Sequence, residues 1–207
     1  WGNLYIVKDE AVPFTDNMDL AMFGSKAVPE LVLNHVADTF SFTFTKVPFN
    51  AVADVKGQLV AKAYAMGLLA EPVASATIAA AKAQGITLSV VADLQDAWKT
   101  KTGLDNYPQA AIFVKSDLSD AQIKQVKDRI KAMADYIASV EADKTLVEAD
   151  ITALTPEALG VPSAALIKVT WDKLNVDVQY ASEKKAEINA FLNLFSLTLD
   201  DSKIIAK

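Results

Sequence analysis

Two short stretches carry groups able to meet a ligand. In "AMFGSKAVPELVLNHV" an apolar run ends at Gly24-Ser25-Lys26, and a helical pattern follows from Ala27. Glycine lets backbone approach a bound molecule closely. The serine offers a hydroxyl and the lysine a cation, and a helix N-terminus presents N–H groups whose dipole favours an anion. The same residues also suit an ordinary strand–turn–helix junction in which Ser25 caps the helix. In "YAMGLLAEPVASATIAAAKAQG" the run ending at Ala70 meets Glu71-Pro72 and turns at once into an Ala-rich amphipathic segment. Proline fits the first turn of a helix at little cost. A carboxylate beside it can accept hydrogen bonds from an amine or hydroxyl, pair with a facing lobe, or simply complement the helix dipole.

Other chemistry is scarce. The single histidine, His35, lies near the end of the helix that follows Gly-Ser, and no nucleophile is spaced to pair with it. The chain shows no G-x-S-x-G, no phosphate loop and no dinucleotide fingerprint. It has no cysteine, which removes thiol catalysis, disulfides and cysteine metal sites, and one histidine cannot build a multi-histidine centre. A formal charge of −6 leaves no basic surplus to neutralise phosphates, so a nucleic-acid partner is not expected. Neither cofactor nor metal is implied. No apolar run reaches the roughly 18–20 residues of a membrane span.

The elements that must position these residues follow from periodicity. "NLYIV", "DLAMF", "FSFTFTKVPF", "AYAMGLLA", "ITLSVVAD" and "AAIFVKSD" read as strands, from apolar runs or period-two alternation. Helical spacing marks 27–36, a weaker segment at about 50–62, and Pro72 to Ala83, which Gly85 ends. Ser119 and Gln122 have the spacing of a capping box opening a helix to about Ser139. In it Ile123, Val126, Ile130, Met133 and Ile137 form a stripe read as a core face. Helices are expected at 144–154 and 163–174, with a small strand "VDVQYA" and a last helix capped by Ser182. Strands alternate with helices up to Val114 and helices dominate afterwards. That order predicts an α/β unit over 1–116 with a mainly parallel sheet, followed by a mainly helical part over 117–207. In open α/β sheets ligands sit outside the carboxyl ends of the strands, where both Gly24-Ser25-Lys26 and Glu71-Pro72 fall.

Taken in order, these pieces resemble the periplasmic substrate-binding proteins of ABC importers, in the group that takes sulfonates, taurine, nitrate and thiamine precursors. "NLYIV" resembles the strand that crosses between lobes, and "FGSKAVPELVLNHV" the Gly-Ser ligand loop with its helix. "GLLAEPVASAT" resembles the strand–Glu-Pro–helix element, and "YPQAAIFVKSD" the returning strand. The resemblance implies a type II clamp fold in which 1–116 carry half of the ligand cleft and 117–207 pack on the other lobe. It implies ligand contacts from Gly24, Ser25, Lys26, Ala27, Glu71 and Pro72, no catalytic residue, and a small, even anionic, solute passed to a membrane permease. A monomer is expected, in the periplasm or lipid-anchored at the cell surface. The family carries roughly another hundred residues ahead of the crossing strand. The start at Trp1 therefore implies a removed leader, or a fragment lacking most of the first lobe. "TDNMDLAMF" also lacks the basic Gly-Lys step common at that place. Two alternatives remain open: a cofactor-biosynthesis enzyme on the same clamp scaffold, with His35 as its base, and the ligand-sensing domain of a regulator.

Overall fold

Alternation along "LYIVKD" would send Leu4 and Ile6 to one side of a sheet and Tyr5 and Val7 to the other. The computed structural model, which describes residues 2–204, buries all six residues of this strand, β1 (Leu4–Asp9), so both sides are covered. Four more strands complete the sheet: β2 (Met18–Phe23), β3 (Phe44–Phe49), β4 (Met66–Ala70) and β5 (Leu88–Asp93), in the spatial order β3-β2-β4-β1-β5. β2 runs parallel to β3 and β4, whereas β1 runs antiparallel to both β4 and β5. The sheet is therefore mostly parallel, with one reversed strand inside it, and β2, β3, β4 and β5 all end on the same edge.

Helices cover the two faces. Leu4, Ile6, Leu20, Met22, Met66 and Leu68 pack on α1 (Val28–Val36) and α4 (Leu94–Thr102). Tyr5, Val7, Ala21 and Leu69 pack on α2 (Val52–Val60) and α3 (Val73–Lys82). Each helix follows the strand preceding it, as the sequence pattern requires for a parallel arrangement. The helix α4 was not legible from hydrophobic period; its signals are the cap at Asp93 and the left-handed Gly103 (φ +75°) that closes it.

The C-terminal part comprises α5 (Asp120–Ala142), α6 (Thr145–Leu154), the short α7 (Pro156–Leu159), α8 (Ala164–Leu174) and α9 (Lys185–Leu192). Ser119 and Gln122 do form the expected capping box on α5. Val140, Val147, Ile151, Ile167 and Trp171 make a separate small core between α5, α6 and α8. This part packs against the α/β unit. Phe191 of α9 joins the core around Trp98 and Tyr107, and the Tyr5 hydroxyl donates to the Lys173 carbonyl of α8 (3.0 Å).

Several expectations are corrected. "AAIFVKSD" forms no strand: Ile112 and Phe113 are exposed, Phe113 at 90%. β-branched and aromatic residues favour a strand only where an edge is available to pair with, and none among the described residues reaches this segment. "VDVQYA" is likewise irregular. The apolar stripe of α5 is not a core face along its length, since only Val140 is buried and Met133 is 47% exposed. Ser182 does not cap the last helix, which starts after Lys184 with no side-chain cap. β3 begins four residues later than the alternation suggested, and Phe40 and Phe42 instead stack with each other and Phe42 with Phe14. Residue 1 and residues 205–207, the outer ends of the two units expected, lie outside the described residues.

His35 packs in the α1–α4 layer, its ring 5.2 Å from that of Trp98. Its Nε2 and the Trp98 Nε1 are both buried with no hydrogen-bond partner among the described residues. Burial, with Lys101 adding repulsion, lowers the His35 pKa from its ordinary value; nearby Asp38 opposes this, being tied to Lys101. A depressed histidine means the unfolded chain binds the proton more readily, so stability is full above the ordinary value of about 6.5. It falls as pH drops below that value toward the depressed one. As the only histidine, His35 is expected to make the urea midpoint lower at about pH 5.5 than at about pH 7.5. In a His35→Phe variant this difference should shrink; an unchanged difference would assign it to other groups.

Candidate functional site

The shared strand direction assembles one rim. Register sets Phe23 beside Phe49, and Leu4 beside Ala70, with Tyr5 opposite Asp93. At or just beyond these pairs the chain places, across the edge, Asn50, Gly24, Glu71, Asn3 and Asp93. The two stretches singled out in the sequence thus stand at the ends of adjacent strands, β2 and β4. Asn3 ties the rim together: the Glu71 N–H donates to its carbonyl (3.0 Å), and its Nδ2 donates to the Glu71 carbonyl (3.0 Å). The Asn3 Oδ1 is buried without a partner among the described residues.

At the first junction Gly24 takes φ +70°, and a Cβ there would lie 2.6 Å from the Pro29 ring. Lys26 is also left-handed (φ +59°). Ser25, Lys26 and Ala27 are exposed. Ser25 is not the cap; Ala27 is the N-cap residue and supplies no side-chain bond. Instead Glu30 reaches back from the first turn. Its Oε2 accepts from the Ser25 hydroxyl (3.1 Å) and the Lys26 N–H (2.7 Å), and its Oε1 pairs with Lys46 Nζ (2.5 Å). The Lys46 hydrogen bond, followed by the Lys26 N–H, holds the Glu30 carboxyl at about 2. Lys46 also donates to Asn34 Oδ1 (2.9 Å), so the loop is braced from β3. Glu30 and Lys46 were missed in the sequence; the visible signal was an acidic residue in the first helical turn.

At the second junction Glu71 and Pro72 are joined by a cis peptide bond, and Pro72 is the N-cap residue of α3. The Glu71 carboxylate is buried. It accepts from the Ser75 N–H (3.1 Å) and the Ser75 hydroxyl (2.7 Å), and so caps its own helix. The third junction repeats the device. Asp93 Oδ1 accepts from the N–H groups of Gln95 (2.8 Å) and Asp96 (3.3 Å) and from Gln95 Nε2 (2.8 Å). Burial raises the Asp93 pKa above the ordinary carboxylate value. Burial, with the charges of Asp93 and Glu71, likewise pushes the Tyr5 hydroxyl well up.

Two cavities flank the rim rather than containing Gly24, Ser25 or Glu71. One of about 550 Å³ lies beside Phe49, Asn50 and Asp54 at the β3–α2 junction. The other, about 670 Å³, lies among the C-terminal helices and the segment before them, against Asn106, Glu141, Trp171 and Asn175. Asn106 Oδ1 accepts from the Gly2 N–H (3.2 Å), and Asn175 Nδ2 donates to the Gly2 carbonyl (2.7 Å), so this cavity adjoins the rim at its β1 end.

No protein-family model matches the sequence, and no curated protein matches it. Solved structures do. An ABC transporter structure from Parabacteroides distasonis shares 17% identity, covering all of this chain and 71% of that one, at a TM-score of 0.80. A protein from Archaeoglobus fulgidus matches at 18% identity over 95% of this chain and 66% of its own, TM-score 0.53. The periplasmic aliphatic sulphonate binding protein SsuA from Escherichia coli matches at 17% identity over 83% and 55%, TM-score 0.50. The chain thus spans less than two thirds of the last two. At these identities the likeness shows the fold alone: a mixed α/β unit, mostly parallel in its sheet and followed by helices, like the folds of periplasmic binding proteins.

A side chain at Gly24 must adopt the left-handed backbone and displace Pro29. Gly24→Ala is expected to cost about 1–3 kcal/mol. Gly57, inside α2 with open space around its Cβ position, should gain about 0.5–1 kcal/mol on substitution by Ala. Urea denaturation of the two variants checks both signs; equal effects would contradict the strained-loop account.

Proposed function

We propose that the chain is the solute-binding component of an ABC importer, capturing a small solute and delivering it to a membrane permease. The observation that carries this reading is the rim. Gly24, Ser25, Lys26 and Ala27 stand next to Glu71 and Pro72 at parallel strand ends, in a fold shared with an ABC transporter structure and a periplasmic sulphonate binder. On this proposal residues 1–116 form one lobe bearing half of the cleft, and 117–207 pack in part on the other lobe. The exposed "AAIFV" segment and the uncovered stripe of α5 suit that role. Solute bridging two lobes would favour the closed form through its differential affinity for that form. The protein would act as a monomer outside the cytoplasm, in the periplasm or held at the cell surface by a lipid. Among the described residues no helix is long and apolar enough to cross a membrane.

Nothing favours the enzyme alternative at this rim. His35 lies seven residues along α1 from Val28, about 10 Å from the rim at the rise of a helix, and its Nε2 is buried beside Trp98.

A thermal-shift panel of sulfonates, nitrate, amino acids, thiamine pyrimidines and polyamines tests the proposal. A solute at about 100 times its Kd stabilises by about 2.7 kcal/mol, worth about 5–11 °C in a chain of this size. At least one panel member is expected to raise Tm, and Ser25→Ala to reduce the shift. A shift indifferent to Ser25 and to Glu71→Gln would move the site away from these residues.

A further inference from the structure

At each junction of this rim, donors that would meet an anion are already in use. A helix start and a glycine loop attract anions because their N–H groups lack intrahelical partners. Here the chain supplies its own carboxylate at each of three neighbouring junctions. Glu30 takes the Ser25 hydroxyl and the Lys26 N–H, Glu71 takes the Ser75 N–H and hydroxyl, and Asp93 takes the N–H groups of Gln95 and Asp96. Pro29, in the first turn of α1, has no N–H to give. The cation that reaches the Gly-Ser loop from β3, Lys46, is paired with Glu30 and further bound to Asn34, while the Lys26 side chain of the loop itself is exposed. An anion arriving at the loop would have to displace the Glu30 carboxylate from three donors and then lie beside it, at like-charge cost.

We propose that Glu30 is a resident carboxylate that sets the charge class of the solute, so that the part of the solute meeting the Gly24–Ala27 loop is uncharged or cationic, not a sulfonate, sulfate or nitrate group. This inference rests on the solute-binding reading of the rim and narrows it. Glu30 acts as a specificity-determining residue: removing its carboxylate frees the Ser25 hydroxyl, the Lys26 N–H and the Lys46 ammonium together, three donors converging on one vacated position. Glu71 and Asp93 extend the same exclusion along β4 and β5. The hydrogen bonds Asp93 accepts among the described residues all fall on its Oδ1, which leaves Oδ2 able to accept from a solute amine or hydroxyl.

The test follows the Ser25 and Lys26 backbone amide resonances while methanesulfonate, inorganic sulfate and nitrate are each titrated at constant ionic strength. In the wild-type chain these resonances should not titrate, and Tm should not rise. In Glu30→Ala they should shift saturably with millimolar anion, and in the isosteric Glu30→Gln they should shift less, because the amide oxygen still occupies the donors. Lys46→Ala added to Glu30→Ala should weaken the gained binding. Saturable binding of any of these anions at the wild-type loop would overturn the charge assignment while leaving solute binding intact. A folded Glu30→Ala protein that gains no anion response would also overturn it. If no solute of any charge class moves a rim amide of the wild type, the solute-binding reading fails, and the Glu30→Ala arm still decides whether the loop is an anion site held shut by Glu30.

Discussion

The reversed strand β1 is the constraint on which the rest depends. Fully buried, it hydrogen-bonds on both edges, to β4 and β5, and its direction puts its N-terminal end at the carboxyl ends of its neighbours. A buried polar clamp fixes that end. Gln95 Oε1 accepts from the Leu4 N–H (2.9 Å) and from the Tyr107 hydroxyl (2.8 Å), while Gln95 Nε2 donates to the Leu4 carbonyl (3.3 Å) and to Asp93. A buried amide satisfied on both sides holds one geometry, since leaving any of its partners unpaired would cost about 1–3 kcal/mol. Tyr107 closes the clamp so tightly that a Cβ on Gly2 would lie 2.2 Å from its ring. Asn3 is thereby held against Glu71, and the rim becomes a single edge.

Rim electrostatics follow from the same arrangement. Parallel strands send several helix N-termini to one edge, so their dipoles add, and any group placed there feels a field favouring negative charge. The chain answers that field internally with Glu30, Glu71 and Asp93. Glu30, hydrogen-bonded to Lys46, is lowered to about 2, whereas at Asp93 burial outweighs the hydrogen bonds and raises the pKa. The result is a polar edge on which the Ser25 hydroxyl and the Lys26 N–H are already held by Glu30, in contrast to the expectation that Gly24-Ser25-Lys26 alone suggests.

Much of this was legible in the sequence because local signals and the fold agree. The alternation of apolar runs with helical spacing placed five strands and most helices, and the Glu-Pro step marked a strand end meeting a helix. What failed depended on partners outside the local window. "AAIFV" has strand chemistry but no edge to join, and the stripe of α5 has helical period but little to bury it against. Ser25 looked like a cap because capping is usually local, whereas here Glu30 and Lys46, five and twenty-one residues away in sequence, decide what its hydroxyl does. The helix α4 escaped because its buried residues, Leu94, Ala97 and Trp98, are too few for a periodic signal and its cap is a single aspartate.

The central claim is that the carboxyl edge of the sheet is where solute binds. Amide hydrogen exchange, measured with and without each solute of the panel, tests it most directly. The account predicts that a stabilising solute slows exchange at residues 24–27, 71–75 and 93–96 together, because these amides share one edge. Protection confined to the cavity beside Trp171 and Asn175, with the rim unchanged, would contradict it.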